Sequence, residues 1–422
     1  MRVAVACLTD RLDTRLDWSL VDRGLNPGIG GTHSVALQLA RRLSAVPGLD
    51  VSVLLKTAQS WRPDELNLRA TRLDDWVSGN EVYDAIIMPV QQIDTTVLRA
   101  SAVSGSTLIP WSHHPHDPRL RELGSRQVFP VVVSIGRYQH FSNSSGRSAH
   151  FRLPNPFPRW TQGVTRVSPR DRPNRVGFIG SLTSHKHFHR LIPVWRALHS
   201  RFDRLEFEVI GGSGLYGLED EWNFGVPTET NYARLISEGL GHDQEMVRFT
   251  GTLDSQAAAQ HIRQWKLLFG NPTGCGEAYP GSLLEAVSMG IPPTASIDFG
   301  NWDVMQYFPE TSFRKPEEAL AIVSQTLGDQ GLLKRLVDRC DRLTDALLRE
   351  DQSLEDAWCT ALESTQMTRQ HRQRRLRQDT LFTPRGGNTL PIERKFKILL
   401  RRLRSYLTYK IRRRRFYPDR WN

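Results

Sequence analysis

The apolar positions come in two textures. Residues 2–8 (RVAVACL) form a short run with a β-branched bias, the pattern of a buried strand. A polar connection follows, then a glycine cluster at Gly28, Gly30 and Gly31. Beyond it Val35, Leu39 and Leu43 recur every fourth residue, which predicts an amphipathic helix. Pro47-Gly48 ends that helix and Val51–Leu55 is a second strand. Strand, glycine loop, helix and strand make a βαβ unit and hence a parallel sheet. Further strands are expected at 84–89 (DAIIMP), 107–114 (TLIPWSHH) and 128–136 (VFPVVVSIG), and the proline-rich RLPNPFPRW (152–160) reads as an extended linker.

The pattern then restarts. RVGFIGSL (175–182), LEFEVIGGSG (205–214), MVRFTGTL (246–253), LLFGNPT (267–273) and IPPTASID (291–298) are strand-like, with helical stretches between them. Mainly helical patterns run on to about residue 365. The expected fold is therefore α/β, with two halves joined near residue 160. No short-period solenoid repeat is visible.

Composition sharpens this only at the end of the chain. A length of 422 residues suits two domains with appendages, and 39% hydrophobic with 24% charged residues is ordinary for a folded protein. The net charge of +11 is concentrated. Residues 366–422 hold 18 lysines and arginines against 3 acids, leaving 38 basic against 42 acidic residues in the rest. Within the tail, Ile392, Phe396, Leu399, Leu400, Leu403, Leu407 and Ile411 fall on one helical face. An amphipathic helix over 391–417, after a polar basic linker over 366–388, suits an anionic membrane surface. Packing on the body or another subunit remains open, as does nucleic acid, which the regular apolar stripe disfavours. No stretch approaches the ~20 apolar residues of a membrane span. The four cysteines form no C-x-x-C pair, so a reducing cytoplasm is the expected location, peripheral to the inner membrane face if the tail binds lipid.

The chemistry concentrates in CGEAYPGSLLEAVSMG (275–290). Between Ala278 and Ile297 the only formally charged side chain is Glu285. A helix is expected from Pro280–Ser282 to Gly290, with Ser282 able to cap it. It follows a strand, and in open α/β sheets ligands gather at strand carboxyl ends near helix N-termini. The first-turn amides of Gly281, Ser282 and Leu283 suit a phosphate. Glu285, one turn in, suits a vicinal diol such as a ribose, and Glu277, before the helix, suits a second polyol. A structural ion pair is the competing reading of Glu285. WSHHPHDP places His113, His114 and His116 together. H-x-H could chelate a metal, but no matching ligand motif stands out elsewhere.

These segments together resemble the family 4 glycosyltransferases, retaining enzymes of GT-B fold whose two Rossmann-like domains face a cleft. The E-x7-E pattern falls on Glu277 and Glu285, AVSMGIPP resembles the following segment, and RVGFIGSLTSHKHFHRLI, FEVIGGSG and VRFTGTLD resemble motifs of the second domain. GIGGTHSVALQLARRLSAVPGLDVSVLL, VVVSIGRYQ and LPNPF resemble motifs of the first domain, so that the likeness covers roughly residues 1–365. It implies an N-terminal acceptor-side domain over 1–160, a nucleotide-sugar domain over 161–350, and a helix over 351–365 returning to the first domain. It also implies donor binding by Glu285, Glu277 and the amides between them. Lys186 would hold the diphosphate, Gly30 and Gly31 would admit phosphate and sugar, and His113 or His114 would sit under the sugar. Gly180, Ser181 and Gly251 would line the donor site. The implied activity is hexosyl transfer from a UDP- or GDP-linked sugar to a glycan or lipid-linked acceptor, without a metal or other cofactor. A catalytically silent sugar- or nucleic-acid-binding relative and a sugar-nucleotide epimerase are the alternatives. One departure stands out: Ser181 occupies the place of an arginine five residues before the lysine, with His185, His187 and Arg190 as nearby substitutes.

Overall fold

The structure is a computed structural model, which describes residues 1–8, 18–56, 68–115, 118–126, 129–143, 148–213, 221–223 and 226–366. The amphipathic helix expected over 391–417, nearly all of its linker, and His116 lie outside the described residues.

Two parallel sheets carry the molecule. The first contains β1 (Arg2–Cys7), β2 (Asp50–Leu55), β3 (Leu68–Arg72), β4 (Ala85–Pro89), β5 (Thr107–Ser112), β6 (Val131–Ser134) and β7 (Ala149–Arg152). Its order is β3-β2-β1-β4-β5-β6-β7. The second contains β8 (Arg175–Ile179), β9 (Glu206–Ile210), β12 (Val247–Gly251), β13 (Leu267–Phe269), β14 (Pro293–Ser296) and β15 (Ser312–Phe313), in the order β12-β9-β8-β13-β14-β15. A small antiparallel ribbon, β10 (Glu221–Asn223) with β11 (Val226–Thr228), stands apart. The near-continuous burial of β1, β2 and β4 follows from helices covering both sheet faces.

The apolar runs explain the strands that were legible. β3, β7, β15 and the ribbon were not. LRATR and AHFR sit at sheet edges with mixed polarity, and β15 has two residues, too few for any period.

Each sheet reverses its strand order once, between β1 and β4 in the first and between β8 and β13 in the second. Crevices for ligands form at such points, outside the strand carboxyl ends. The loop after β8 carries Ser181, His185 and Lys186, and the loop after β13 carries Glu277. Topology alone therefore brings residues 91 apart in sequence to one place.

The two halves are joined by more than the linker. The long helix Gln330–Gln352 is followed by helical residues 354–366, whose Leu354, Trp358, Ala361 and Leu362 lie in the core of the first sheet. Trp358 meets Trp111 of β5 edge-on, with centroids 5.7 Å apart. Asp351, 4% exposed, is the hub of this crossing. It accepts from Arg42, from Arg159 Nε at 2.8 Å and from the Phe157 amide at 2.9 Å. A buried carboxylate is tolerable only when surrounded by such donors.

Candidate active site

The helix Gly281–Ser288 begins after Pro280, and Gly290 beyond its end adopts φ 72°. Ser282 makes no capping hydrogen bond. The Leu283 amide donates to Pro280 O at 3.1 Å, and its side chain is fully buried. This corrects the expectation for Leu283: its amide already has a partner. The amides of Gly281 and Ser282 have none among the described residues and remain the positive end of the helix.

Glu277 lies in a loop shaped by Gly274 (φ 65°) and Gly276 (φ 81°), left-handed positions that a side chain would strain. Asn271, 6% exposed, organises the loop. Its Nδ2 donates to Cys275 O at 2.9 Å and to Glu277 Oε1 at 3.3 Å, and its Oδ1 accepts from the Thr273 amide at 3.1 Å. Lys186 Nζ donates to the same Glu277 Oε1 at 2.6 Å. Lys186 ends a 3-10 turn, Ser184–Lys186, and the next residue, His187, is held at φ 54°. A non-glycine residue there costs on the order of 1–2 kcal/mol. Phe188, fully buried, anchors the chain just beyond that strained residue.

Glu285 is half-buried on the helix following that loop. Its carboxylate has no hydrogen-bond or ion-pair partner among the described residues, and desolvation raises its pKa from 4.5 to about 7. Among the described residues the competing reading, a structural ion pair, finds no partner for it.

Ser181 does not face the cleft as a phosphate ligand. It is 3% exposed, and its Oγ lies 3.1 Å from Thr183 Oγ1, which lies 3.4 Å from His185 Nε2. The position where an arginine was expected thus holds a buried hydroxyl in contact with Thr183, which in turn lies near His185. Of the three substitutes, His185 is the one at the site: its pKa is lowered by burial and by Lys186, while Glu277 and Glu229 oppose this. His187 and His189 face each other, and His189 turns to Tyr232. Gly180 and Gly251 serve the sheet ends. Gly180 N donates to Ile210 O at 3.0 Å, and Gly251 O accepts from Gly211 N at 2.8 Å.

Across the crevice, Gly30 precedes the helix Gly31–Ser44. The Gly31 and Thr32 amides have no partner among the described residues, and open space lies where a Gly31 Cβ would point. His113 and His114 divide. His113, 8% exposed, lies edge-on to Trp111 at 4.3 Å, and its buried Nε2 has no hydrogen-bond partner among the described residues. Burial, with His114 and His33 nearby, pushes its pKa down to about 3, so the ring is neutral. His114 is exposed and close enough to His185 to lower that ring's pKa. Sequence reasoning missed His33 and Asn271. His33 lies inside the glycine-loop helix, where a lone histidine gives no signal, and Asn271 acts only through contacts the fold creates.

The Glu277 loop also closes onto the first domain. Ala278 belongs to the first sheet's core. The Arg137 amide donates to Asp303 Oδ2 at 2.9 Å, and Asn26 and Ser255 exchange two hydrogen bonds, at 3.2 and 3.1 Å. The site therefore lies where the two halves meet.

This arrangement, two parallel-sheet Rossmann-like domains with a crevice between them, is the GT-B fold. Among solved structures the chain is similar to HepE from Anabaena in complex with UDP-glucose (TM-score 0.61, 14% identity, covering 85% of this chain and 100% of that one). It is similar too to the sucrose-phosphate synthase of Thermosynechococcus elongatus (TM-score 0.58, 14% identity, 88% and 98% covered). A third likeness is to the lipopolysaccharide outer core galactosyltransferase WaaB in its apo form (TM-score 0.53, 16% identity, 86% and 99% covered). No family model matches the sequence, and no curated protein matches it.

Proposed function

We propose that the protein is a retaining glycosyltransferase that moves a hexose from a nucleotide diphosphate donor to a glycan or lipid-linked glycan. The observation that carries this is the Glu285 carboxylate and two amides, Gly281 and Ser282, all without a partner among the described residues, beside the Lys186–Glu277 pair. In series these suit a ribose diol, a diphosphate and a sugar. The GT-B neighbours support the reading, and HepE, seen with UDP-glucose, favours UDP over GDP.

In this reading Lys186 and the helix amides stabilise charge on the departing diphosphate as the sugar–phosphate bond breaks. The acceptor hydroxyl attacks from the same face and passes its proton to the leaving phosphate oxygen. Lys186 also fixes the Glu277 carboxylate, which then orients the sugar hydroxyls. His113, neutral with a pKa near 3, is too weak a base to take a proton at neutral pH. It serves as a hydrogen-bonding wall for the sugar rather than as a proton acceptor. In this reading Lys186 and the helix dipole carry the charge that a metal would otherwise carry, so activity should persist in excess EDTA.

A calorimetric panel of UDP, GDP, ADP and CMP tests the assignment. UDP binding that Glu285→Ala abolishes is expected. No nucleotide binding, or binding indifferent to Glu285→Ala, sinks it. The basic tail is assigned to an anionic membrane surface; vesicle sedimentation of full-length protein against a chain ending at residue 366 checks this.

A further inference from the structure

On another side of the domain junction lies an open cavity of about 720 Å³. Its walls come from three parts of the fold: Leu25 from the first domain, Trp160 from the end of the linker, and Val164, Gln256, Gln260 and Arg263 from the second domain. None of the residues placed at the donor crevice lines it.

The second-domain wall is regular. Gln256 and Gln260 lie one turn apart on the helix Ser255–Ile262, and Arg263 caps its C-terminal end. Spacings of four and three put all three on one face. Gln256 and Gln260 are exposed. Arg263 makes no ion pair among the described residues, and its Nε is buried with no hydrogen-bond partner. Nε is closed off from the cavity, so an anion there would meet the terminal nitrogens of a guanidinium that has no carboxylate partner among the described residues. Asp254, also on the wall, does not supply that anion: its carboxylate accepts from the Ala257 amide at 2.8 Å and caps the helix. Trp160 and Val164 add an apolar surface with an aromatic ring to the lining.

We propose that this cavity is a second carbohydrate site, selective for a saccharide that carries a carboxylate. Primary amides offer both a donor and an acceptor and so match vicinal hydroxyls. An indole face suits the C–H face of a pyranose. The guanidinium supplies the bidentate partner for a carboxylate. The volume falls in the range of small-molecule sites and admits two to three sugar rings. Because Leu25 adjoins the Asn26–Ser255 contact, an occupant touches both domains and the linker at once and favours this domain arrangement.

The test is calorimetric titration of the full chain with a trisaccharide ending in glucuronic acid and with its glucose-ended counterpart. The acidic sugar is expected to bind at least tenfold more tightly. Arg263→Met, which keeps the aliphatic stem, removes that preference, and Gln260→Ala weakens both sugars severalfold. Unchanged melting temperatures show that the variants fold. Equal binding of the two sugars, binding of neither, or a preference that survives Arg263→Met overturns the proposal. Inorganic phosphate alone matching the acidic sugar's affinity overturns it too, since the site would then read only charge. UDP binding is independent of all these outcomes.

Discussion

Replacing Glu285 by glutamine should move stability and function in opposite directions. Burial without a partner raises this carboxyl from 4.5 to about 7. A group whose folded pKa lies above its unfolded value stabilises fully below the unfolded pKa, and that contribution is lost as pH rises through the folded pKa. At pH 8 the ionised carboxylate is therefore a liability. At about 1.4 kcal/mol per pKa unit the bound is about 3 kcal/mol, and partial exposure reduces it to roughly 2 kcal/mol. Glu285→Gln keeps the shape and removes the charge. It should raise the melting temperature at pH 8 by roughly 2–3 °C, and by much less at pH 5, where the folded carboxyl is already protonated. Nucleotide affinity should fall by about 2 kcal/mol, some 30-fold in Kd, because the diol loses a charged acceptor. Calorimetry of UDP binding and thermal melts at both pH values read the two effects. UDP binding near pH 7 should also release protons, visible as a dependence of the heat on buffer ionisation. A variant less stable at pH 8, or one that binds UDP as tightly as the parent, refutes the argument.

Three further outcomes follow from the geometry. Lys186→Met should lower kcat by about 10²–10³ with a smaller change in KM, since its cation acts on the developing charge; UDP release assays measure this. Asp351→Ala removes the acceptor shared by Arg159, the Phe157 amide and Arg42, of which Arg42 keeps Glu355, and should cost about 1–3 kcal/mol in denaturant melts. Gly136→Ala would place a Cβ 1.9 Å from Ala278 O, a backbone atom that cannot rotate away. Roughly 3 kcal/mol of destabilisation is expected, together with looser UDP binding because that backbone carries Glu277.

The sequence alone determined the two-sheet architecture, because strands buried on both faces must be continuously apolar, and β1, β2, β4 and β8 are nearly so. It also predicted a helix from Pro280–Ser282 to Gly290 and marked Glu285 as the lone charge of an apolar run, while leaving open whether that carboxylate has an ion-pair partner. Edge strands, too short or too polar for a period, stayed hidden. What only the tertiary structure decided is which groups meet. The Lys186–Glu277 pair depends on β8 and β13 being neighbours at a strand-order reversal. Ser181 looked like a missing cation and proved to be a buried hydroxyl in contact with Thr183, which in turn lies near His185. Leu283 lost its place at the site to a 3.1 Å bond with Pro280. Local pattern records whether a residue is to be buried; it does not record what lies across the crevice, because those contacts join residues that the chain separates by tens to hundreds of positions.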